Sequence, residues 1–471
     1  MNNLLIWWNY YPINIKLKTM IECKNSCLCY LFKSIPMHRT GEKLIGVETE
    51  MIVKKQIPRD KCIDNTLTLL KEGYLFIQNR TERYSSDVFE TRILGKKSIC
   101  ISGKEAAKLF YNAILMKKKG ALPKRIQKTL FGVNAIQTMD GRRHLHRKKL
   151  FMTIMNQEEQ DRLSKITTEK WQEAISRWEG ASQVVLYDEV NRILCQSVCE
   201  WAGVPLPASE VNCRTKDFST MVNTFSAIGP EYWKGKKARK RTEKWIRGII
   251  ESTRSGKLRP GRNSALYQVA YYKDLDGKLL DTQMAAVELI NVLRPVVAIS
   301  TFITFTAYAL YEHREYFKIL RSSDENMREM FVQEVRRYYP FTPFLGAITR
   351  KNFMWKGYNF KKGTLVILDV YGINHDARIW ENPYKFSPER FSEKREHLFD
   401  FIPQGGGDPS KGHRCPGEGI TIDLMKVSLD FLVNKLEFKI PAQKLRYSLV
   451  KIPSLPESGF IMRNIKTRTS I

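Results

Sequence analysis

The chain has 471 residues, of which 43% are hydrophobic and 27% charged, the proportions of an ordinary folded protein. They exclude an intrinsically disordered chain, a collagen-like repeat and a polytopic membrane protein. The formal net charge of +29 is unusual and by itself indicates an anionic partner, such as nucleic acid, a membrane surface or an acidic small molecule.

The first segment of the chain differs in character from the rest. Residues 1–50 contain paired aromatic residues and three cysteines, without a helical or strand period. We interpret them as an N-terminal extension that arises from an upstream in-frame start, with Met51 as the true start. An anchor or targeting arm is the alternative. Residues 51–471 are then expected to form a single catalytic domain.

The pattern of the remaining chain predicts a mainly α protein with a small β region. A helix is predicted at residues 64–72, and strand-like segments follow at residues 74–77 and 91–102. Helical periodicity then dominates, with long amphipathic runs at residues 158–178, 187–201, 233–254 and 281–311. Later elements are strands between residues 345 and 371, an irregular stretch at residues 374–411 and a helix at residues 417–436.

The cysteines and the hydropathy pattern bear on location. The nine cysteines are scattered and odd in number, which predicts free thiols in a reducing, cytoplasmic setting. Cys195 and Cys199 lie four residues apart without further ligands nearby, so we interpret them as packing residues. No run of about 18 or more consecutive apolar residues occurs, and no transmembrane segment is predicted.

A basic run at residues 234–244, KGKKARKRTEK, lies on a predicted helix between Trp233 and Trp245. We interpret it as a solvated helix face with both tryptophans turned towards the core. A nucleic-acid or lipid patch is the alternative. No motif of a nucleic-acid-binding fold occurs, so no nucleic-acid partner is expected.

The strongest local feature is the segment FIPQGGGDPSKGHRCPGE at residues 401–418. Cys415 stands at the start of a predicted helix, where unpaired N–H groups and the helix dipole favour a thiolate. His413 and Arg414 add positive potential. The residues leave a nucleophile or a metal ligand open, and a haem thiolate needs only this one cysteine.

Two further motifs precede this segment. Glu334 and Arg337 form an ExxR on a predicted helix, and Arg390 lies in the sequence SPERF. In this order and spacing, the three motifs resemble those of the cytochromes P450. The resemblance implies the cytochrome P450 fold enclosing haem b, with Cys415 as the axial ligand of the iron. It also implies that Glu334, Arg337 and Arg390 form a buried charge network supporting the cysteine loop.

The same resemblance implies further contacts with the haem. His144 and Lys148 stand at the i, i+4 positions that Trp and Arg usually hold against the haem propionates. Gln404 and Arg414 in the cysteine loop are also expected to contact the cofactor.

The chain departs from ordinary cytochromes P450 in two places. Asp408 and Lys411 replace the usual Phe and Gly of the cysteine loop. Arg294 and Pro295 replace the acid–alcohol pair of the long helix. Proline kinks a helix, and a buried guanidinium requires an anion. A substrate carboxylate would bind it bidentately, and a salt bridge to a distant acid is the alternative.

The Arg-Pro pair, with QGGGD and GHRCPGE, is similar to the fatty-acid peroxygenase branch of the cytochromes P450. This implies hydroxylation of long-chain fatty acids at the α or β carbon with hydrogen peroxide and no redox partner. The substrate carboxylate on Arg294 would act as general acid–base. The expected substrate pocket, for which plain core packing is the alternative, comprises Gln137, Phe131, Val133, Ala298, Phe341 and Phe344.

Three other functions remain open at this point. Alkene-forming relatives tend to have His where this chain has Gln137, which favours hydroxylation over decarboxylation to a terminal alkene. A conventional monooxygenase supplied by a redox partner is disfavoured by the missing acid–alcohol pair. A basic, non-catalytic binding protein is supported only by the charge.

Overall fold

The computed structural model describes residues 54–322, 325–393 and 397–468. The described residues belong to one compact unit, Ile52–Ile471. The predicted extension at residues 1–50 lies outside the described residues and stays a prediction.

Helices make up most of the described chain, and the strands are short. The helices are α1 (Thr66–Glu72), α2 (Gln78–Tyr84), α3 (Lys104–Tyr111), α4 (Lys124–Ile126), α5 (Gly141–Ile154), α6 (Gln157–Trp178), α7 (Leu186–Ala202), α8 (Val211–Asn223), α9 (Gly229–Arg254), α10 (Ala265–Ala270), α11 (Thr282–Ala298), α12 (Ser300–Glu312), α13 (Glu315–Ser322), α14 (Glu325–Tyr338), α15 (Val370–Asn374) and α16 (Glu418–Asp430). The strands are β1 (Val88–Ile93), β2 (Lys96–Ile101), β3 (Met116–Lys117), β4 (Val184–Val185), β5 (Phe344–Thr349), β6 (Phe353–Trp355), β7 (Tyr358–Phe360), β8 (Leu365–Asp369), β9 (Leu436–Lys439) and β10 (Ile461–Thr467).

The strands form three small sheets beside the helices. The largest has the strand order β1-β2-β8-β5-β3, in which β2 and β8 are parallel and the other neighbours antiparallel. The second has the order β4-β10-β9, and β6 and β7 form a hairpin. The predicted mainly α architecture with a small β region is confirmed.

Two local predictions were wrong. Residues 74–77 are not a strand, because a 3-10 turn at Gly73–Leu75 leads into α2. Their apolar side chains are buried, and burial alone does not distinguish a short strand from a turn. Residues 91–102 are two antiparallel strands rather than one, since Leu94 and Gly95 both take positive φ and turn the chain.

Helix α11 runs through the centre of the protein and packs against α7, α8 and α9. Most of its residues are apolar and nearly all of them are buried, as expected of a helix surrounded by protein. The segment Thr282–Glu312, α11 with α12, is long and apolar enough to cross a membrane by length and composition. However, 94% of its most apolar window is buried inside the protein.

The cysteines of α7 belong to this core. Cys195 and Cys199 are fully buried and carry free thiols. Among the described residues no group of three or more His, Cys, Asp or Glu side chains could hold a metal ion. The predicted packing role of Cys195 and Cys199 agrees with their burial.

Gly132 permits the chain before α5 to approach α11 closely. It has φ +89°, and a Cβ there would lie 2.5 Å from Val287 Cγ1 and 2.6 Å from Arg239 Nη2. Gly132→Ala is therefore expected to cost about 3 kcal/mol of unfolding free energy, from backbone strain and overpacking together. Urea denaturation measures the change.

Gly256→Ala is the matched control. Gly256 has φ +76°, but a Cβ there would meet no atom within 4 Å. Its substitution is expected to cost only about 1–2 kcal/mol for the backbone conformation. Equal losses in the two variants would contradict the close approach as a separate source of destabilisation.

Candidate active site

The cysteine loop folds tightly before α16. The backbone N–H of Cys415 donates to the carbonyl of Gln404 at 3.0 Å. Gly405, at φ +98°, lies against the backbone of Arg414, because a Cβ at Gly405 would be 3.2 Å from its Cα. The run of glycines therefore lets the incoming and outgoing chain pass at backbone distance, which positions Cys415 at the start of α16.

The electrostatics of Cys415 correct one expectation. Burial raises the pKa of its thiol, although the N–H of Gly417 and the charges of Lys148 and Arg336 oppose that shift. The helix terminus does not by itself hold a thiolate here. A coordinated metal ion would, because its charge deprotonates a ligating thiol outright.

Cationic and imidazole groups surround the cysteine loop. The His144 ring stacks on His413 with the centroids 3.9 Å apart. Lys148 Nζ donates to the carbonyl of Arg414 at 2.5 Å. Burial lowers the pKa of His144 to about 4 and that of Lys148 to about 8. The structure therefore brings His144 and Lys148 of α5 against the loop that carries Cys415.

Gln404 and Arg414 belong to a buried polar network that the sequence analysis did not identify. Arg336 donates to Gln404 Oε1 at 2.9 Å and also contacts Glu418. Arg414 donates to Glu418 Oε2 at 2.6 Å, and Gln404 donates to Thr421 at 3.0 Å. The available signals were Arg336, which stands directly before the arginine of the ExxR motif, and the glutamate that follows CPG.

A second network fixes the chain ahead of the cysteine loop. Arg337 donates to Glu334 through Nε at 2.7 Å and Nη2 at 2.8 Å, and Arg390 donates to the same carboxylate at 3.2 Å. Arg337 also donates to the carbonyl of Asn374 at 2.8 Å. The structure therefore brings Glu334, Arg337 and Arg390 together, and Glu334 is fully buried.

Glu334→Gln is expected to lower the unfolding free energy by about 3–5 kcal/mol, because it leaves the buried guanidinium of Arg337 and the partly buried one of Arg390 without their anion. The control is Asp87→Asn, which removes the exposed ion pair with Arg378 and should cost less than about 1 kcal/mol. Urea denaturation compares them. A loss at Glu334 no larger than the loss at Asp87 would contradict a supporting role for the network.

Arg294 is the unusual group of the central helix. It is only 6% exposed, and its Nε has no hydrogen-bond partner. Within the described residues its guanidinium makes no ion pair, and it lies 5.5 Å from the ring centroid of Phe131. Burial and the charge of Arg239 lower its pKa to about 9. The alternative of a salt bridge to a distant acid finds no support in this geometry.

The expected pocket residues separate into three groups. Phe131, Ala298 and Phe341 belong to one apolar cluster, and Pro295 lies in α11 between Arg294 and that cluster's Ala298. Phe344 packs instead against the cluster beneath the largest sheet. Val133 is 45% exposed, which removes the support for a place in the apolar pocket. The pocket roles of all these residues stay predictions.

Glu288, two turns before Arg294, was missed by the sequence analysis. It accepts hydrogen bonds at 3.0 Å from Arg147 and from the backbone N–H of Ile136, next to Gln137. Burial raises its pKa, and Arg147 opposes the shift. An acid in an apolar helical run was the available signal. Glu288 is therefore committed to Arg147 and does not neutralise Arg294.

These residues fit a haem thiolate. Cys415 is partly accessible although it lies in the interior, and basic groups of α5 and of the loop accompany it. Together they offer one sulfur ligand for iron and positive groups for the propionates. Gln137 Oε1 and Asn291 Oδ1 are further buried polar atoms without partners.

A comparison with family models matches residues 65–462 to "Cytochrome P450". The chain belongs to the cytochrome P450 family. The predicted fold is therefore confirmed, and the family implies a haem cofactor. Among solved structures, this P450 is similar to cytochrome P450EX alpha with myristic acid, at 41% identity and a TM-score of 0.85. The alignment covers 88% of this chain and 100% of that one.

Two other solved structures point to the same branch. A variant of cytochrome P450SP alpha is 41% identical with a TM-score of 0.84, and the alignment covers 86% of this P450 and 100% of that chain. A variant of cytochrome P450 OleT in complex with arachidonic acid is 36% identical with a TM-score of 0.86, covering 88% and 100%. The resemblance to the fatty-acid peroxygenase branch is confirmed.

Curated relatives are more distant. Cytochrome P450 4e5, mitochondrial, of Drosophila mettleri is 30% identical over 109 residues, which are 23% of this chain. The chain spans 20% of the length of that relative. Luvungin A synthase of Citrus sinensis is 24% identical over 92% of this chain and 93% of its own length.

Proposed function

We propose that this P450 hydroxylates long-chain fatty acids at the α or β carbon and uses hydrogen peroxide as the oxidant. The observation that carries the proposal is Arg294, a buried guanidinium without an anion from the described chain. A monocarboxylate with an apolar tail complements such a group, because the cation binds the carboxylate and the apolar surroundings take the tail.

The carboxylate of the substrate completes the site. Arg294 would hold it bidentately in surroundings with little water, where charge-assisted hydrogen bonds are strong. One carboxylate oxygen would accept a proton from hydrogen peroxide and return it to the peroxide oxygen that leaves as water, while the other peroxide oxygen ends in the hydroxyl group of the product. Pro295 lies inside α11 next to Arg294 and has no backbone N–H to donate. Arg294 and Pro295 together stand where other cytochromes P450 have the acid–alcohol pair, so the substrate carboxylate would take over the proton transfer.

Haem b, held by the Cys415 thiolate, would supply the oxidation of a C–H bond by peroxide. His144, Lys148, Arg414 and Gln404 would hold it through the propionates and the cysteine loop. The ion pairs of Glu334 with Arg337 and Arg390 keep the chain around that loop in place.

Regiochemistry follows from where the carboxylate is held. Arg294 would fix the carboxyl carbon of the substrate. The α and β carbons come next along the acyl chain, so they would be the carbons held closest to Arg294 and available for hydroxylation. The cluster of Phe131, Ala298 and Phe341 would contact the acyl tail. Phe302 stacks on Phe341 with the centroids 4.4 Å apart and supports that wall.

Partners and location complete the proposal. Hydrogen peroxide is already two electrons more reduced than dioxygen, so no ferredoxin or flavodoxin is needed to deliver electrons. The exposed thiols of Cys62 and Cys213 are free, which suits the reducing cytoplasm. Nucleic acid has no role in this chemistry.

Decarboxylation to a terminal alkene is the second candidate, because OleT, which is 36% identical, is among the solved structures. Gln137 favours hydroxylation, since its amide has no ionisable proton and its Oε1 is buried without a partner.

With hydrogen peroxide and myristic acid, we expect 2- or 3-hydroxymyristate as the main product by mass spectrometry. A terminal alkene as the main product would instead establish the decarboxylase.

Arg294→Met is expected to abolish turnover of myristic acid with peroxide and the spectral response of the haem to fatty acid. It should also raise the unfolding free energy by about 1–3 kcal/mol, because an unpaired buried charge is replaced by an apolar side chain of similar length. Absorption spectroscopy and urea denaturation measure the two effects.

Arg337→Met is the control, because Arg337 is equally buried but paired with Glu334. It should lower the unfolding free energy by about 3–5 kcal/mol. If Arg294→Met keeps full activity, the carboxylate does not bind there. If it destabilises the protein as much as Arg337→Met, then Arg294 is a paired structural group.

A further inference from the structure

Helix α9 presents a basic stripe on one face. The exposed side chains Trp233, Lys237, Lys240, Lys244 and Arg247 recur every three or four residues, which places them in line along the helix. The buried positions of the same helix follow the opposite face and include Gly235, Ala238, Arg239, Thr242 and Ile246.

The charge of this stripe is not compensated by the protein. The neighbouring Lys234 pairs with Glu231 at 2.6 Å, and Arg241 pairs with Asp217. No ion pair to Lys237, Lys240 or Lys244 occurs among the described residues. Three adjacent lysines on one face therefore project an uncompensated positive potential.

The stripe ends in an exposed apolar tip. Ile228 is 56% exposed and Trp233 is 53% exposed, and they flank Pro230 at the start of α9. This corrects the sequence-based expectation that both tryptophans of the basic run face the core, which holds only for Trp245, packed against Phe218. Trp233 stays outside because its side of the helix carries the lysines, with Lys236 Nζ 4.6 Å from its ring centroid.

We propose that the first half of α9 docks this P450 on an anionic lipid surface. Lysines attract anionic headgroups and keep their charge in water while their stems contact apolar groups. An exposed Trp and Ile at the end of the stripe suit the boundary between headgroups and acyl chains. Nucleic acid would use the lysines but would gain little from Ile228, so the apolar tip decides between the two partners.

The tip is continuous with the wall of the proposed substrate pocket. Phe225, three residues before Ile228, packs on the cluster that contains Phe131 and Phe341. Arg125 holds the intervening turn through a hydrogen bond to the carbonyl of Ala227 at 2.5 Å. Docking at the tip would therefore bring the pocket's outer wall to the lipid surface, from which fatty acid could enter. Only this delivery step rests on the proposed function; the docking itself does not.

Sedimentation of the haem-loaded full chain with vesicles tests the docking without peroxide or turnover. We expect binding to vesicles of equal parts phosphatidylcholine and phosphatidylglycerol, little binding to pure phosphatidylcholine, and weaker binding as salt increases. The triple variant Lys237→Gln, Lys240→Gln, Lys244→Gln should bind about 100-fold more weakly, the order expected for three lysines at an anionic surface.

The matched control is Lys351→Gln, Lys361→Gln, Lys362→Gln. These exposed lysines flank the open end of the β6–β7 hairpin, before β6 and after β7, and the control removes the same charge from another place. It should retain vesicle binding within about threefold, the size of a general net-charge effect on a screened surface. Equal losses in both triple variants would overturn the proposal, because binding would then follow net charge alone.

Trp233 distinguishes lipid from nucleic acid. Trp233→Ser should weaken vesicle binding about tenfold, and Trp233→Phe should restore most of it, since both aromatic side chains partition into the interface. If Trp233→Ser binds vesicles like the wild type while the α9 lysine variant loses binding to duplex DNA, the stripe is a nucleic-acid surface and the proposal is wrong. Failure of peroxide turnover leaves each of these vesicle results standing.

Discussion

Arg294 brings a positive charge into the apolar centre of the protein without an anion from the described chain. The nearest acid along α11, Glu288, is already bound by Arg147 and by the N–H of Ile136. Arg239 adds a second buried cation, which lowers the pKa of Arg294 further. Burying a charge in this way costs free energy that packing must offset. The carboxylate of the proposed substrate would supply the anion that the central helix lacks.

The buried acids near the site are paired with other arginines and leave Arg294 without an acid in the described chain. Glu288 ties α11 to α5 and to the segment next to Gln137 through one buried carboxylate. Glu418 in the same way joins α14 and the cysteine loop to α16, because it binds both Arg336 and Arg414. The other buried arginines of the described chain each pair with an acid, whereas Arg294 has none: these paired arginines are Arg80, Arg147, Arg239, Arg336 and Arg337. The proposed specificity for an acid with an apolar tail rests on that distribution of charge.

The sequence predicted what depends on local spacing. The long helices follow from apolar periodicity, and Cys415, Arg294 and the ExxR motif stand out because their chemistry requires particular neighbours. Contacts between distant segments were not predictable in this way. Arg147 and Glu288 are 141 residues apart and Arg336 and Glu418 are 82 apart, so no local pattern pairs them. The outward position of Trp233 was missed for a related reason, because an amphipathic pattern does not show which apolar side chains the neighbouring elements cover.

The burial of α11 and α12 has a consequence for how the chain folds. The segment Thr282–Glu312 has the length and apolarity of a membrane span, yet its covering is supplied by elements from both sides of it in the chain. Helices α7 and α9 are synthesised before it, whereas α14 and α16, which pack on α12, come later. During synthesis this helical segment stays partly uncovered until about the last 50 residues emerge, since folding of large chains proceeds as partners become available. Because α16 directly follows the cysteine loop, the segment that places Cys415 also carries the last helix that covers this apolar surface in the nascent chain.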